Sequence, residues 1–383
     1  MKKYIIIAAA AIAAMACSKV NITDNTPDAK ITFAPAAYAP QTKAEALQTS
    51  ADAIEEFKSY AVFHPNGGAG VAFFTPTDGV ETISLTEGTT NVWAPSHDYY
   101  WPKAATSYIN FISWYDKNGT PNTHTETSLS WVIDGSTRSL ATDDNILFAD
   151  EAWRYTRNDT STDEPNYISV SNVEGGVPTL FHHALGKVKF TVRAAKLNNG
   201  VASPKTTSWE ITLTTFSLSD VFSTGKLDLI NADPGAGNMT TRVWRTKNGE
   251  TAYAQCDAAA WATTGTAAAL TKDSSSDVSI TSIDAENPQT IIAQRSVIPQ
   301  SISDMTLTVT CTVVTKFNGT AYMTEEISQD IALSEILSTD WSMNKILTYN
   351  IVINPETSKV LYDPALEEDW TSADGSTTVP AES

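Results

Sequence analysis

The chain has 383 residues, 25 Lys and Arg against 44 Asp and Glu, a net charge of -19, and only 18% charged residues. At about 100–200 residues per domain this is two-domain length, which excludes a single small disulfide-stapled module, and the acidic excess excludes a surface built to hold a phosphate backbone, so no nucleic-acid partner is expected. The deficit in charge, against roughly 25% in ordinary soluble domains, is filled by Thr, Ser and Asn, a composition suited to a secreted β protein.

Met1-Lys2-Lys3 is a basic start, followed by an apolar run from Tyr4 to Ala14 and then Met15-Ala16-Cys17-Ser18. These are the regions of a secretory signal, so residues 1–16 are read as a signal peptide and left out of the fold. Ala16-Cys17 resembles the bacterial lipobox, in which the Cys is diacylated and becomes the new N-terminus. Cys17 is therefore the expected lipidation site, with an ordinary cleavable signal as the alternative. Two acyl chains anchor a protein stably where one is marginal. No later run of about 18 apolar residues could span a bilayer.

Beyond the signal the pattern has period two. Apolar and polar residues alternate in Ile31–Ala34, Phe57–Phe63, Tyr108–Tyr115, Lys187–Arg193, Trp209–Thr214 and Tyr349–Ile353, which predicts strands with one buried and one wet face. Turn signals separate them, among them Pro65-Asn66-Gly67-Gly68, Lys117-Asn118-Gly119, Asp134-Gly135 and Asn318-Gly319. Many short strands with polar turns predict β-sandwiches. Helix is expected only in short pieces, at Ala44–Phe57 and Ser334–Leu337. The turn-like stretch Lys196-Leu197-Asn198-Asn199-Gly200 marks a seam between an N-terminal domain, residues 44–196, and a C-terminal domain, residues 197–371. Residues 17–43 form a leader. Ala258–Asp277 reads as a long loop or insertion with little core of its own, and residues 372–383 as a flexible tail. Cys311 alternates with threonines in the row Leu307, Val309, Cys311, Val313 and reads as a core-facing thiol, with a disulfide to Cys256 left open.

No metal site or catalytic motif emerges. His64, His97, His124, His182 and His183 form no HExxH, and a strand would send His182 and His183 to opposite faces. There is no GxSxG elbow, phosphate loop or dinucleotide turn, so an enzyme is not expected and no cofactor is implied. Trp93, Tyr99, Tyr100, Trp101 and Trp114 form the densest aromatic group. They read as core anchors or, alternatively, as a glycan-stacking platform on a monomeric surface lipoprotein.

Several elements together resemble the fimbrillin family, the lipoprotein-precursor subunits of Bacteroidetes type V pili. They are the lipobox at Cys17; Ile31-Thr32-Phe33 leading to Thr42-Lys43-Ala44; the strand Phe57–Phe63; Tyr99-Tyr100-Trp101-Pro102 before Tyr108–Tyr115; Phe181-His182-His183-Ala184-Leu185-Gly186-Lys187-Val188; Val297-Ile298-Pro299-Gln300; and the closing Trp341 and Asp369-Trp370. The resemblance implies an all-β chain of two β-sandwich domains with transthyretin-like topology. It also implies a surface-exposed lipoprotein of the cell outer membrane, assembled with other pilus subunits and open to a host or bacterial surface ligand. In the family the first strand completes the N-terminal sheet, a protease cuts behind it, and a strand from another subunit replaces it, which is β-strand addition used for polymerisation. Carried onto this chain, the displaceable strand is Ile31–Tyr38, with Ile31 and Phe33 as its apolar residues, and processing falls between Lys43 and Ala44. The best-known relatives are cut after Arg, whereas the first Arg here is Arg138, so the protease must accept Lys. The segment Lys359–Trp370 is either a donor strand or the last strand of the second domain.

Overall fold

A computed structural model describes residues 30–37, 45–46, 54–86, 92–102, 106–126, 128–149, 152–155, 176–195, 207–230, 244–247, 250–253 and 261–370. They fold as a nearly all-β protein, with sheets of ten, five, five, four and two strands. Helix among the described residues is confined to Leu333–Ile336 and a 3-10 turn at Pro65–Gly67.

The two five-stranded sheets share one core. One contains Gly186–Ala194, Gln289–Val297 and Lys345–Asn354, edged by Lys359–Tyr362 and Leu366–Asp369. The other contains Thr207–Val221, Thr306–Phe317 and Thr320–Ala332, with Ala268–Thr271 and Val278–Ile280 beside the first of these. Alternation decides which side chains meet between them: Val188, Phe190 and Val192 from one sheet face Leu213, Leu307, Val309, Cys311 and Val313 from the other. Cys311 is a buried free cysteine, and burial pushes its thiol up to about 11, out of the range where a reactive thiolate forms. Cys256 lies outside the described residues.

Two expectations are corrected, and strand pairing across the expected seam is a third observation. Ala258–Asp277 is not a bare loop: Trp261–Thr263 and Ala268–Thr271 are strands, and the Trp261 indole is buried and donates to the Ala184 carbonyl at 2.6 Å. The described parts of Ala44–Phe57 are not helix: Glu45–Ala46 pairs with Ala36–Ala37 and Glu56–His64 is a strand, while residues 44 and 47–53 lie outside the described residues. The strand Gly186–Ala194, which lies before the expected seam, hydrogen-bonds on both sides to strands that come after it. Ser128–Ile133 likewise pairs with Gly225–Ile230 across the seam, within a four-stranded sheet that also holds Thr123–Thr125 and Trp261–Thr263.

The ten-stranded sheet closes on itself. Its path runs Tyr108–Asp116, Ile146–Ala149, Val177–His183, Phe33–Ala37, Val92–Pro95, Val80–Thr86 and Glu56–His64, and the last of these pairs with the first along seven residues from Lys58↔Trp114 to His64↔Tyr108. The enclosed core includes Ile31, Phe33, Phe57, Ile83, Trp93, Phe111 and Phe181. Outside it, Ile112, Trp114, Ile146 and Phe148 pack against Leu129, Trp131, Leu227 and Leu229 of the four-stranded sheet. Tyr108–Asp116 and Ile146–Ala149 are thus buried on both faces, which is why their sequences run almost continuously apolar.

Candidate functional site

The strand Phe33–Ala37 is the first among the described residues and sits within the closed sheet, not at a margin. On one side it pairs in parallel with Val177–His183 over five positions, from Phe33↔Val177 to Ala37↔Phe181. On the other side the contacts are a patchwork: Lys30 bridges Tyr100, the Ile31 amide donates to the Tyr99 carbonyl at 2.8 Å, Phe33 faces Trp93, and Ala36 and Ala37 face Ala46 and Glu45. Consecutive residues of a strand point their amides to opposite neighbours. Ile31 bonds toward Tyr99, and Thr32 accepts from the Val177 amide at 2.7 Å, so odd-numbered residues pair on the Tyr99 side and even-numbered ones on the Val177 side. Pro35, which has no amide hydrogen, therefore falls on the Tyr99 side, in the chain between Phe33, which faces Trp93, and Ala36, which faces Ala46.

The side chains follow the same alternation. Ile31 and Phe33 are 1% and 5% exposed. The Phe33 ring meets Phe57 and Phe111 edge-on at centroid distances of 5.7 and 5.4 Å. Phe57 in turn touches Phe181 at 5.2 Å and Trp93 at 5.5 Å. Burying each of Ile31 and Phe33 stabilises by about 1.5–3 kcal/mol, and edge-to-face aromatic contacts add about 0.5–1.5 kcal/mol. Removing the strand would open the closed sheet, leave two rows of unpaired backbone groups and expose an aromatic-lined groove.

One wall of that groove is held without the first strand. Tyr99 donates its hydroxyl to Glu81 at 2.8 Å and receives the Thr75 amide at 3.1 Å, while His97 Nδ1 donates to Glu81 at 3.1 Å and the Ser96 hydroxyl donates to it as well. Burial works to raise the Glu81 carboxyl, but hydrogen bonds from Ser96, Tyr99 and His97 outweigh it and hold the group below its ordinary value. The Lys30–Asp98 ion pair, 2.6 Å long, is exposed and contributes little.

Of the residues singled out from sequence, Ile31 and Phe33 lie in this strand, whereas Cys17, Lys43 and Ala44 lie outside the described residues. The chain between Ala37 and Glu45, which contains Lys43, joins two segments that pair with each other. Arg138, the first arginine, binds Asp144 at 2.8 Å and Asp116 at 2.9 Å with its side chain 15% exposed. The expected glycan platform does not form from these rings: Trp93, Tyr99, Trp101 and Trp114 are buried and, of the five, Tyr100 alone is exposed. Those rings fill the cores on either side of the closed sheet. The histidines serve packing and hydrogen bonding. His64 stacks on Tyr108, His182 on Phe148 and His183 on Trp370. Among the described residues no group of three or more His, Cys, Asp or Glu comes together to hold a metal. Sequence reading missed Phe57 and Phe111 as partners of Phe33, although each sits at an inward position of an alternating run. It also missed Glu81, which carries no motif.

The family model described as fimbrillin-like matches residues 42–370. Among solved structures, a fimbrial protein from Bacteroides vulgatus is 15% identical, covering 89% of this chain and 99% of that chain with a TM-score of 0.47. A Bacteroides uniformis protein described as a cell adhesion protein is 14% identical, covering 91% and 99%, with a TM-score of 0.45. The tip fimbrial protein Mfa3 from Porphyromonas gingivalis, with C-terminal truncation, is 9% identical, covering 83% and 94%, with a TM-score of 0.32. No curated protein matches the chain.

Proposed function

Because the chain belongs to the fimbrillin-like family, we propose that it is a fimbrial subunit exported as a lipoprotein and assembled by exchange of its first strand for a strand of another subunit. The family supports the coarser part, a structural or adhesive role beside other pilus subunits at the cell surface. The finer part is our reading. Cys17 carries the lipid that holds the precursor at the outer membrane, cleavage between Lys43 and Ala44 frees the first strand, and an incoming strand refills the groove. Two sandwich-like domains with transthyretin-like topology belong to the same reading, with Gly186–Ala194 contributed from before the seam to the sheet of the C-terminal unit.

The observation that carries the proposal is the position of Phe33–Ala37. A strand at the start of a chain is normally free to sit at a sheet margin, yet here it completes a closed sheet and buries Ile31 and Phe33 among Phe57, Phe111 and Trp93. Strand addition converts that dependence into assembly, since backbone hydrogen bonds and the aromatic groove are both restored by a donor. The test is the N-terminal residue of the protein on cells, followed by limited digestion of the purified precursor with a Lys-accepting protease. Ala44 on cells, and polymers from the digested precursor, are expected. An intact acylated Cys17 on mature fimbriae, or a digested chain that loses the strand and stays monomeric, would refute the mechanism.

A further inference from the structure

The longest strand at any sheet margin among the described residues is Thr320–Ala332. It pairs along its length with Thr306–Phe317 and has no strand on its other side, so a row of amides and carbonyls stands open there. Glu325, Glu326 and Asp330 line it, and their cross-strand neighbours are Val313, Thr312 and Thr308, none of them basic. Acids on an edge keep a copy of the same strand away, because antiparallel pairing would set carboxylate against carboxylate. They do not account for what lies at the start of this strand. Phe317, Tyr322 and Met323 are 45%, 82% and 46% exposed around the Asn318-Gly319 turn, and Tyr322 is the residue left unmatched where the register shifts. An edge guarded against every partner would not carry three large apolar side chains.

Trp244–Lys247 and Glu250–Tyr253 pair with each other and, among the described residues, with no other strand. Two strands alone are marginally stable in water, and a third gives them support. The charge of this hairpin is opposite to that of the open edge. Arg242, Arg245 and Lys247 are three of the chain's 25 basic residues, no other six-residue stretch holds as many, and no carboxylate lies between Asp233 and Glu250. Val243, Trp244 and Thr246, which alternate with them, are strand formers.

We infer that Trp244–Lys247 of one copy of the chain occupies the Thr320–Ala332 edge of another, which adds the hairpin to that sheet as two further strands. Backbone hydrogen bonds supply the pairing, and the charges of Arg245 and Lys247 set against Glu325, Glu326 and Asp330 supply the selectivity. The apolar residues around the Asn318-Gly319 turn supply burial. A second copy is the occupant because it carries the complementary charge on a segment that its own chain leaves unpaired. The two surfaces differ, so the contact is heterologous and can repeat from copy to copy. It uses neither the first strand nor its groove, so it stands or falls apart from strand exchange.

The uncut precursor, with its first strand in place, carries both surfaces and is the protein to test. Sedimentation velocity over a concentration series should show association that raised salt weakens. Glu326→Lys with Asp330→Lys should weaken it by at least about tenfold in Kd, and Arg245→Glu with Lys247→Glu should do the same. Each doubly substituted chain repels itself at this contact. An equimolar mixture, however, pairs the altered edge of one with the altered hairpin of the other, and the intact edge with the intact hairpin. The mixture should therefore recover the parent's association, which a misfolded variant could not. Glu55→Lys with Asp277→Lys, which changes two exposed acids away from this edge, should associate like the parent. A parent that stays monomeric at all concentrations would overturn the inference, including the case in which the hairpin binds the edge of its own chain. So would association that the mixture fails to restore, or that the changes at Glu55 and Asp277 weaken as much.

Discussion

The two ends of the described chain are both strands, and they are held in contrary ways. Phe33–Ala37 is gripped by side chains: an aliphatic residue and an aromatic ring enter a core of Phe57, Phe111 and Phe181, and its one exposed ion pair, Lys30–Asp98, adds little. Lys359–Asp369 is gripped by its margins. Arg193 pairs with Asp363 at 3.0 Å, Lys345 with Glu367 and Asp369 at 2.9 and 2.8 Å, and Trp370 is buried just beyond, stacked on His183 with Lys187 over its ring. Its large apolar residues Leu361, Tyr362 and Leu366 are exposed, while Val360 is buried in the core. A strand held by its core contacts should leave only when something comparable replaces it, whereas one held by salt bridges and a single ring can lift away piecewise.

That contrast can be broken by substitution. The largest effect is expected from Phe33→Ala, which removes a ring from the enclosed core and should cost about 3–5 kcal/mol in urea unfolding. A cost below about 1 kcal/mol would show that the first strand is not gripped as described. Next comes the groove wall. Glu81→Gln removes the charge that gathers Ser96, Tyr99 and His97 and should cost about 1.5–3 kcal/mol at neutral pH. Because the folded carboxyl lies below its ordinary value, its contribution is present above the unfolded pKa and lost as pH falls through the folded one. The difference between parent and Glu81→Gln should therefore shrink on acidification, and a difference that grows would refute the assignment. The smallest effect is expected from Lys345→Ala, about 0.5–1 kcal/mol, measured with and without 0.5–1 M salt, on the order of a sevenfold to tenfold shorter screening length than at 0.01 M. Salt should erase this loss and leave that of Phe33→Ala unchanged. Equal salt sensitivity in the two would dissolve the distinction.

The local elements were legible in the sequence to the extent that they depend on alternation alone. Phe57–Phe63, Tyr108–Tyr115 and Lys187–Arg193 appear as Glu56–His64, Tyr108–Asp116 and Gly186–Ala194, although the second is buried on both faces where alternation predicts a wet one, and the row through Cys311 is buried as its period requires. What could not be read is which strands meet. The parallel partner of Phe33–Ala37 and the pairing of Ser128–Ile133 with Gly225–Ile230 depend on distant chain segments whose local patterns are silent about one another. The Thr- and Ala-rich run around Trp261 lacked alternation, and a single indole reaching the Ala184 carbonyl supplies its anchor. For the candidate site, Ile31 and Phe33 came from resemblance to a family; the groove that receives them, with Glu81 behind its wall, became visible only once the closed sheet brought those residues together.

The parallel pairing of Phe33–Ala37 with Val177–His183 also bears on timing. The partner strand is not made until residue 183 has been added, and contacts so far apart in sequence form slowly. Once formed, the first strand keeps its place against rivals because it is tied to the same chain through residues 38–44, and a tether that short gives an effective concentration in about the millimolar range. A cut in that link alters none of the contacts between Phe33–Ala37 and Val177–His183. It changes a tethered strand into a free peptide that dilutes away on departure, so the equilibrium between own strand and foreign strand would be decided by one peptide bond that neither strand contains.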